Sequence, residues 1–335
     1  MKVLVTGGAG YIGSHMAKAL LRRGAEVVVF DNLSSGRTET VVGCPLVTGD
    51  INDVNALKAV FARYPFDAVM HFASLIQVGE SVQQPWRYYR TNIGGTLNLL
   101  EAMRAADVGR FIFSSSAAVF GEPSYTPIDE AHPKVPVNPY GFSKLAVERV
   151  LEDYAAACDL RSVSLRYFNA AGADPEGDLG ENHDPETHLV PLVLQAASGR
   201  RPTITIFGSD YPTPDGTCIR DYIHVDDLCQ AHLLALDYLT ENGRSAAYNL
   251  GNNQGFSVRQ IIDTAERVTG KRIQVTIGSR RSGDPAVLVA DSRRAIAELG
   301  WRPQFQALDT IIRHAWEWEL KLQQQRRTTQ PGGGP

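Results

Sequence analysis

Residues 2–13 read KVLVTGGAGYIG and decide how the chain folds. The aliphatic run at its start predicts a short strand, and a helical pattern follows its end. Gly7, Gly10 and Gly13 lie in the turn between the two elements. Glycine permits a tight turn and lets a pyrophosphate approach the backbone, where the free N–H groups of a helix N-terminus attract the anion. The segment therefore predicts a dinucleotide-binding turn, although three glycines alone are also compatible with an ordinary turn.

An acidic residue stands at the end of the second predicted strand. Asp31 has the spacing from the glycine turn at which a carboxylate accepts hydrogen bonds from the adenosine ribose. A negative charge there repels a 2′-phosphate, so the sequence predicts NAD rather than NADP. Because Asn32 and Ser34 follow, a turn or cap role for Asp31 is the alternative. Asp50 and Ile51 end the third strand, where a carboxylate can reach the adenine amino group.

The first half of the chain alternates short apolar runs with helical patterns. The predicted strands are Lys2–Thr6, Glu26–Phe30, Pro45–Thr48, Ala68–His71, Arg110–Ser114 and Ser162–Arg166. The predicted helices are Ile12–Arg23, Val54–Arg63, Pro85–Ala106 and Pro139–Cys158. This alternation is typical of an α/β fold, and we predict a Rossmann domain whose doubly wound parallel sheet carries helices on both faces.

The pattern changes after about residue 169, where loops rich in Gly, Pro and Asp separate shorter elements. We predict a smaller mixed α/β domain in this part. The expected boundaries are 1–168 for the first domain, with 221–247 returning to it, and 169–220 plus 248–322 for the second. The polar segment 323–335 is expected to be a disordered tail.

Composition excludes several classes of protein. The chain of 335 residues has a formal net charge of −4, so no basic surplus indicates a nucleic-acid partner. No apolar run approaches the ~18 residues of a membrane helix, and the N-terminus has no signal-peptide pattern. We expect a cytoplasmic protein without membrane association. The four cysteines and eight histidines show no metal-ligand spacing, so we predict structural histidines and no metal.

A tyrosine and a lysine stand four residues apart at the start of the fourth predicted helix. Asn138 can cap this helix and Pro139 can open it, which puts Tyr140 and Lys144 on one face. Free tyrosine has a pKa near ~10, so a tyrosine that acts as a base at neutral pH needs a nearby positive charge. The pair therefore predicts a proton-transfer site, although chance alone gives roughly 0.25 such pairs in this composition.

Serines occupy the carboxyl end of the fifth predicted strand, at Ser114–Ser116. Ligands of open α/β sheets bind at this edge. We expect Ser116 to hold the reacting oxygen of a substrate. The alternative is that these hydroxyl groups only satisfy the backbone of the following loop.

The glycine turn, the serines and the Tyr-x-x-x-Lys pair together resemble the extended short-chain dehydrogenase/reductases. Longer stretches are similar to the UDP-glucose 4-epimerases among them, over nearly the whole chain from Met1 to about Glu319. These stretches are Val3–His15, Val78–Val82, Leu165–Asn169 and Asp210–Val225. The resemblance implies an isomerase of carbohydrate metabolism that serves galactose metabolism and interconverts UDP-glucose and UDP-galactose.

The resemblance also implies a redox cycle with tightly bound NAD. Tyr140 takes the proton from the 4-hydroxyl of the sugar while the hydride of carbon 4 passes to NAD. The keto-sugar then turns about its link to the diphosphate, and the hydride returns to its other face. By the same resemblance, the helices Pro85–Ala106 and Pro139–Cys158 are expected to form a homodimer interface.

The sequence and the resemblance together give three sets of expected site residues. The catalytic residues are Ser116, Tyr140 and Lys144. The residues expected around NAD are Gly7, Gly10, Tyr11, Ile12, Gly13, Asp31, Asn32, Leu33, Ser35, Gly36, Asp50, Ile51, Phe72, Ala73, Ser74, Asn92, Ser114, Tyr140, Lys144 and Tyr167. The residues expected around the UDP-hexose are Ser116, Tyr140, Asn169, Leu189, Thr205, Phe207, Arg220, Arg281, Asp284 and Leu288.

Three of the expected substrate residues keep alternatives. Guanidinium groups pair with phosphate, which favours Arg220 and Arg281 as diphosphate ligands, but both also fit as surface arginines. Phe207 fits either as a partner of the uracil ring or as a core residue.

The chain departs from the family pattern near the sugar. Ala118 and Phe120 stand where many members have Thr and Tyr, so one hydrogen bond to the sugar is expected to be lost or replaced by water. Leu288 stands where epimerases restricted to unacetylated sugars often have Tyr. The smaller side chain leaves room beside carbon 2, which gives the hypothesis that UDP-N-acetylglucosamine and UDP-N-acetylgalactosamine are also substrates.

Other functions of the same fold stay open to different degrees. A 4,6-dehydratase is disfavoured, because Ser116-Ala117-Ala118 stands where those enzymes resemble one another in Thr-Asp-Glu, and water elimination needs these carboxylates. A 4-epimerase of UDP-pentose or UDP-glucuronate would show the same uridine site. A non-catalytic NAD-binding protein is the third alternative, although the Tyr/Lys pair is intact.

Overall fold

The computed structural model describes residues 1–281 and 283–329. Its strands are β1 Lys2–Thr6, β2 Glu26–Asp31, β3 Leu46–Thr48, β4 Ala68–His71, β5 Arg110–Ser116, β6 Arg161–Tyr167, β7 Asn169–Ala171, β8 Ile204–Phe207, β9 Ile219–His224, β10 Ala246–Leu250, β11 Gly255–Ser257, β12 Val275–Gly278 and β13 Val287–Leu288. Its α-helices are α1 Tyr11–Arg22, α2 Val54–Arg63, α3 Val78–Gln83, α4 Pro85–Tyr88, α5 Thr96–Ala105, α6 Pro139–Ala157, α7 Leu189–Ala197, α8 Val225–Asn242, α9 Val258–Thr269, α10 Arg293–Leu299 and α11 Leu308–Thr329.

Seven parallel strands form the main sheet in the order β10-β6-β5-β4-β1-β2-β3. The chain starts in the middle of the sheet and winds to both edges. Four of the five residues of β1 are buried, as expected for a parallel strand that is covered on both faces. The order confirms the predicted doubly wound Rossmann fold, and it brings the carboxyl ends of β1, β2, β4, β5 and β6 to one edge.

Two hydrophobic cores cover the two faces of this sheet. On one face, Met16 and Leu20 of α1 pack with Leu236 of α8 against the strands. On the other face, α2, α5 and α6 contribute side chains such as Leu57 and Leu151. Burial of each such side chain contributes about 1.5–3 kcal/mol to the stability of the fold. This contribution explains why the apolar periodicity of the sequence predicted where these helices lie.

The smaller part of the molecule is built around β9. This strand pairs in parallel with β7 and β13 and antiparallel with β11, while β8 and β12 form a separate parallel pair. Helices α7, α9 and α11 pack together over Val193, Ile261 and Ile312. This arrangement confirms a smaller mixed α/β part beside the Rossmann sheet.

The predicted helix Pro85–Ala106 is interrupted. Between α4 and α5 the chain forms a π-helical segment at Tyr89–Gly95, a wider turn that often occurs at functional sites. Gly95 lies so close to Ile51 that a Cβ on it would stand 2.6 Å from the Ile51 side chain. The close packing that this glycine allows is a tertiary contact, and the helical periodicity of the sequence gave no sign of the break.

Two of the predicted boundaries need correction. Strand β9 lies in the smaller sheet and β10 extends to Leu250, so the segment that returns to the Rossmann sheet is α8 with β10, later than the predicted 221–247. Helix α11 continues to Thr329, which contradicts disorder from Gln323 because Leu322 still packs on Trp318 and Gln323 donates to Ser198. Residues 330–335 of the predicted tail lie outside the described residues. Across the described residues, no helix combines the length and apolarity needed to cross a membrane.

Candidate active site

The glycine turn is packed against the end of β4. Gly7 has φ +71°, and its N–H donates to the carbonyl of Phe30 at 2.9 Å. A Cβ on Gly7 would lie 2.4 Å from the Ala73 nitrogen, and one on Gly13 would lie 2.2 Å from the Gly7 oxygen. Helix α1 starts at Gly10 with no side-chain cap and no acidic residue in its first turn, so its positive end is free to meet an anion. The turn therefore fits the pyrophosphate of a dinucleotide.

The position of Asp31 is compatible with both roles expected from the sequence, as a ligand of the adenosine ribose and as a turn residue. Its carboxylate accepts hydrogen bonds from the N–H groups of Ala9, at 2.9 Å, and Leu33, at 2.8 Å. It therefore holds a turn, and it also stands at the end of β2 directly beside the glycine turn. Gly36 comes so close that a Cβ on it would stand 3.0 Å from an Asp31 oxygen. This position fits a carboxylate at the adenosine ribose.

The other residues expected around NAD line the same edge. Asp50 accepts a hydrogen bond from Asn32 at 2.8 Å, and Asn92 binds the backbone of Leu75 and donates to Ser143 at 3.0 Å. Phe72, Ala73 and Ser74 follow β4, and Ser35 lies in the loop after β2. Tyr11 and Ile12 open α1, so their backbone N–H groups face the glycine turn, while the Tyr11 hydroxyl donates to the carbonyl of Gly172 at 2.8 Å and the Ile12 side chain packs on the core.

Tyr140, Ser116 and Lys144 meet where β5 ends against α6. Asn138 caps α6 by accepting from the Gly141 N–H at 2.9 Å, as predicted. The Ser116 side chain lies close enough to Tyr140 to lower the pKa of its phenol. Lys144 is almost fully buried, and its ammonium donates to the carbonyl of Ser114 at 2.8 Å and lies 5.9 Å from the Tyr140 ring centre. The Ser116 hydroxyl also accepts from the Ala118 N–H at 3.1 Å, so it additionally satisfies the loop backbone.

Burial controls the charges of this group. It raises the pKa of Tyr140, and the neighbouring Ser116 side chain partly offsets this rise. It lowers the pKa of Lys144 to about 7, against the opposing effect of the Glu148 carboxylate. Both shifts disfavour the ion pair of phenolate and ammonium. A cationic ring bound beside them would favour the phenolate, so the site is suited to work with a positively charged cofactor.

Two residues outside the expected set, Glu148 and Arg166, form an ion pair near Lys144. Glu148 forms a buried ion pair with Arg166 at 2.7 Å and accepts a hydrogen bond from Ser115 at 2.6 Å. Glu148 stands one helical turn after Lys144, so the Tyr-x-x-x-Lys-x-x-x-Glu spacing was the available signal. Tyr167 also belongs here, because its hydroxyl lies 2.6 Å from the Ser114 hydroxyl.

A series of contacts between expected substrate residues leads from this group into the smaller part of the molecule. The Arg281 guanidinium lies 4.1 Å from the centre of the Phe207 ring, and the Asp284 N–H donates to the Arg281 carbonyl at 3.3 Å. Arg220 forms an ion pair with Asp284. Leu288 pairs with Arg220 across the strands and packs on the apolar cluster that contains Ala117, the residue after β5.

The exposure of these side chains resolves part of the earlier ambiguity. Phe207 is 39% exposed, which argues against the core role, whereas the Arg220 side chain is only 11% exposed and is no surface arginine. Arg281 is exposed. The Thr205 hydroxyl lies 3.0 Å from that of Thr276.

Two further expected substrate residues stand at the starts of their own elements. Asn169 starts β7 beside Tyr222, and Leu189 starts α7 and packs on its core.

Leu288 borders the segment that follows Ser116. It packs with Ala117, Phe120 and Phe168 in a small apolar cluster. Phe120 is fully buried, with the Arg166 guanidinium 5.5 Å from its ring centre. A tyrosine hydroxyl at position 120 would therefore need a buried hydrogen-bond partner. Phe120, which stands where many family members have Tyr, fills this buried position without one.

Comparison with known proteins identifies the family. Residues 3–251 match the model of the NAD dependent epimerase/dehydratase family. The chain belongs to this family. Membership confirms NAD as the cofactor expected from the glycine turn, and the Rossmann fold agrees with it.

Individual relatives cover nearly the whole chain. The UDP-glucose 4-epimerase of Halalkalibacterium halodurans is 50% identical over 318 residues, which are 95% of each chain. The crystal structure of the Brucella ovis UDP-glucose 4-epimerase in complex with NAD is 51% identical, covers 94% of this chain and 97% of its own, and superposes with a TM-score of 0.92. A UDP-Glc/GlcNAc 4-epimerase from Campylobacter jejuni is 42% identical over 96% of this chain and 99% of its own, with a TM-score of 0.84.

Proposed function

We propose that this chain is an isomerase that interconverts UDP-glucose and UDP-galactose at carbon 4 through a 4-keto sugar, with NAD held throughout the cycle. The observation that carries the proposal is the Ser116–Tyr140–Lys144 group, which lies at the same sheet edge as the glycine turn. The relatives named UDP-glucose 4-epimerase support the choice of substrate.

The side chains of the site divide the work of proton transfer. Tyr140 accepts the proton of the sugar 4-hydroxyl and returns it after the sugar has turned. Ser116 hydrogen-bonds the same oxygen, and Lys144 keeps a positive charge near the phenolate when it is protonated. When bound, NAD supplies the reversible hydride acceptance that carbon 4 requires. Lys144 is buried and Tyr140 is partly buried, which limits the water that reaches the reacting oxygen.

The smaller part of the molecule supplies the uridine diphosphate site in this proposal. Arg220 and Arg281 provide guanidinium groups for the two phosphates, and Asp284 fixes Arg220 by an ion pair. The exposed ring of Phe207 provides an apolar surface for the base. Binding through the diphosphate leaves the hexose free to present either face to Tyr140.

An NMR time course with UDP-galactose and no added NAD tests the proposal. Appearance of UDP-glucose would establish both the reaction and the retained cofactor. If no conversion occurs even after NAD is added, the main proposal is wrong. The same assay with UDP-pentoses and UDP-glucuronate would then decide between another 4-epimerase and a binding role.

We also propose that N-acetylated UDP-hexoses are substrates. Leu288 is partly buried in its apolar cluster and is smaller than tyrosine, which leaves space for an acetamido group. We expect Leu288→Tyr to lower turnover of UDP-N-acetylglucosamine while that of UDP-glucose is retained. Leu288→Met, of similar volume, is the matched control. Equal turnover of the acetylated sugar before and after Leu288→Tyr would reject the proposal.

We propose a cytoplasmic location for the protein. All four cysteines are free thiols, as is usual in a reducing compartment. Fractionation of the producing cells, followed by immunodetection, tests this location, and recovery in an extracellular fraction would overturn it.

A further inference from the structure

A second group of chemically active side chains lies outside the proposed catalytic site, in the loop that leads into α7. Residues 181–188 read ENHDPETH, and the side chains of their two glutamates and two histidines come together. We name Glu181, His183, Glu186 and His188 the His–Glu cluster. One ligand atom from each of the four residues lies within 4.8 Å of those of the others.

The distances within the His–Glu cluster are close to those of a metal site. The Nδ1 atom of His183 lies 3.0 Å from Glu181 Oε1 and 3.7 Å from Glu186 Oε1. The Nδ1 atom of His188 contacts the same Glu181 oxygen. Tetrahedral Zn²⁺ with bonds of about 2.0–2.1 Å separates its ligand atoms by roughly 3.3 Å. The four side chains therefore need only small shifts to surround one ion.

The charge balance of the His–Glu cluster calls for a cation. The side chains of Glu181 and Glu186 are only 4% and 5% exposed, and within the described residues their ion pairs are with the two imidazoles alone. Neutral imidazoles would leave two buried carboxylates without a counter-charge, which is costly. The two buried carboxylates therefore need positive charge beside them, which protonated imidazoles or a metal ion would supply.

Neighbouring groups hold the ligands in place. Glu186 Oε1 accepts from the N–H groups of Thr187, at 2.7 Å, and His188, at 2.9 Å. The indole of Trp318 donates to the Glu181 carbonyl at 2.9 Å, which ties the loop to α11. Such supporting hydrogen bonds orient the ligands of protein metal sites.

We propose that the His–Glu cluster binds one divalent transition-metal ion of the Zn²⁺ class through Glu181, His183, Glu186 and His188. Two imidazoles and two carboxylates are a ligand set that such ions accept. The sequence analysis predicted no metal because a Glu-x-His-x-x-Glu-x-His spacing matches none of the common Cys/His patterns. The ion joins His183 in this loop to His188 at the start of α7. The His183 ring also lies 6.4 Å from that of Tyr11.

Metal content measured on the full chain with its retained NAD tests the site. The protein is stripped with a chelator, equilibrated with Zn²⁺, dialysed and measured by inductively coupled plasma mass spectrometry. We expect about one Zn²⁺ per chain. His183→Gln and Glu186→Gln should each weaken Zn²⁺ binding by at least about 10-fold. His132→Gln, which removes a histidine that binds Ser124 elsewhere in the chain, is the matched control and should bind like the wild type.

Co²⁺ provides a second measurement that does not depend on any variant folding. Tetrahedral Co²⁺ bound to the wild-type chain would give an intense visible absorption band, which Zn²⁺ should displace. No stoichiometric Zn²⁺, equal binding by the cluster variants, or a weak octahedral Co²⁺ spectrum would each overturn the proposal and leave protons as the balancing charge. These readouts use no UDP-sugar, so they stand whether or not the proposed epimerase activity is found.

Discussion

At the scale of single residues, a few side chains carry the chemistry and each depends on its surroundings. Tyr140 alone is a phenol whose pKa burial raises, and Lys144 alone is an ammonium whose pKa burial lowers to about 7. The site is therefore set for proton transfer only when further positive charge arrives. The contributions of Tyr140 and Lys144 can therefore be measured separately, with one variant of each residue.

Removal of the Tyr140 hydroxyl should abolish proton transfer without loss of the fold. We expect Tyr140→Phe to lower the turnover of UDP-galactose by about 10²–10⁴-fold, the usual contribution of a general base. The NMR time course measures this, and retained NAD shows that the site is intact. Tyr154→Phe on the same helix, where the hydroxyl binds Glu101, is the matched control. Similar losses in both variants would exclude a specific role for Tyr140.

Lys144 should make stability depend on pH. Its pKa is lowered from the ordinary 10.5 to about 7, so between these values the unfolded chain binds the proton and the folded chain does not. Stability therefore rises with pH across this window, by roughly 1.4 kcal/mol per pH unit relative to Lys144→Met. Urea unfolding at pH 7, 8 and 9 with matched NAD content measures the difference. Lys58→Met, which removes an exposed lysine, controls for loss of a charge. A difference that does not vary with pH would contradict the burial of a neutral lysine.

At the scale of elements, the turn between β1 and α1 leaves no room for side chains at two of its glycines. Three backbone segments meet there, at Gly7, Gly13 and Ala73, at separations that leave no room for a side chain. The helix can therefore bring its free N–H groups to the cofactor only while these positions remain glycine.

A methyl group at position 13 should cost both cofactor and stability. In Gly13→Ala the new Cβ would lie 2.2 Å from the Gly7 oxygen, so the turn must open. We expect the purified variant to hold much less NAD than the wild type, measured by chromatography after denaturation, and to have a lower Tm. Gly79→Ala is the control because nothing lies within 4 Å of its Cβ position. Full NAD content in Gly13→Ala would show that the turn does not hold the cofactor.

At the scale of the whole molecule, one surface is unusually apolar for a chain in water. Trp86 is 63% exposed and Phe142 is 49% exposed, and the ring of Tyr89 lies edge-on to that of Phe142 with centroids 5.8 Å apart. These residues belong to α4, the π-helical segment and α6, the helices for which the sequence predicted a homodimer interface. A contiguous exposed apolar surface of this kind usually binds a partner.

A charge on this surface should separate the two chains. We expect light scattering of the wild type to give twice the 36.6 kDa of one chain, and Phe142→Glu to shift the mass toward that of the monomer. Val42→Glu changes an equally apolar exposed residue that lies outside these helices, and it should leave the dimer intact. A monomeric wild type would overturn the prediction.

The sequence by itself determined the features that depend on local periodicity and spacing. The strands and helices around the glycine turn, the Asn138 cap and the Tyr140–Lys144 face follow from residues less than about 20 positions apart. Only the tertiary structure decided which distant groups meet. The ion pairs Arg220–Asp284 and Glu148–Arg166 join separate elements, because the order of the strands and the paths of the loops bring them together. The close approach of Gly95 in the π-helical segment to Ile51 is another such contact, which periodicity along a single helix does not encode.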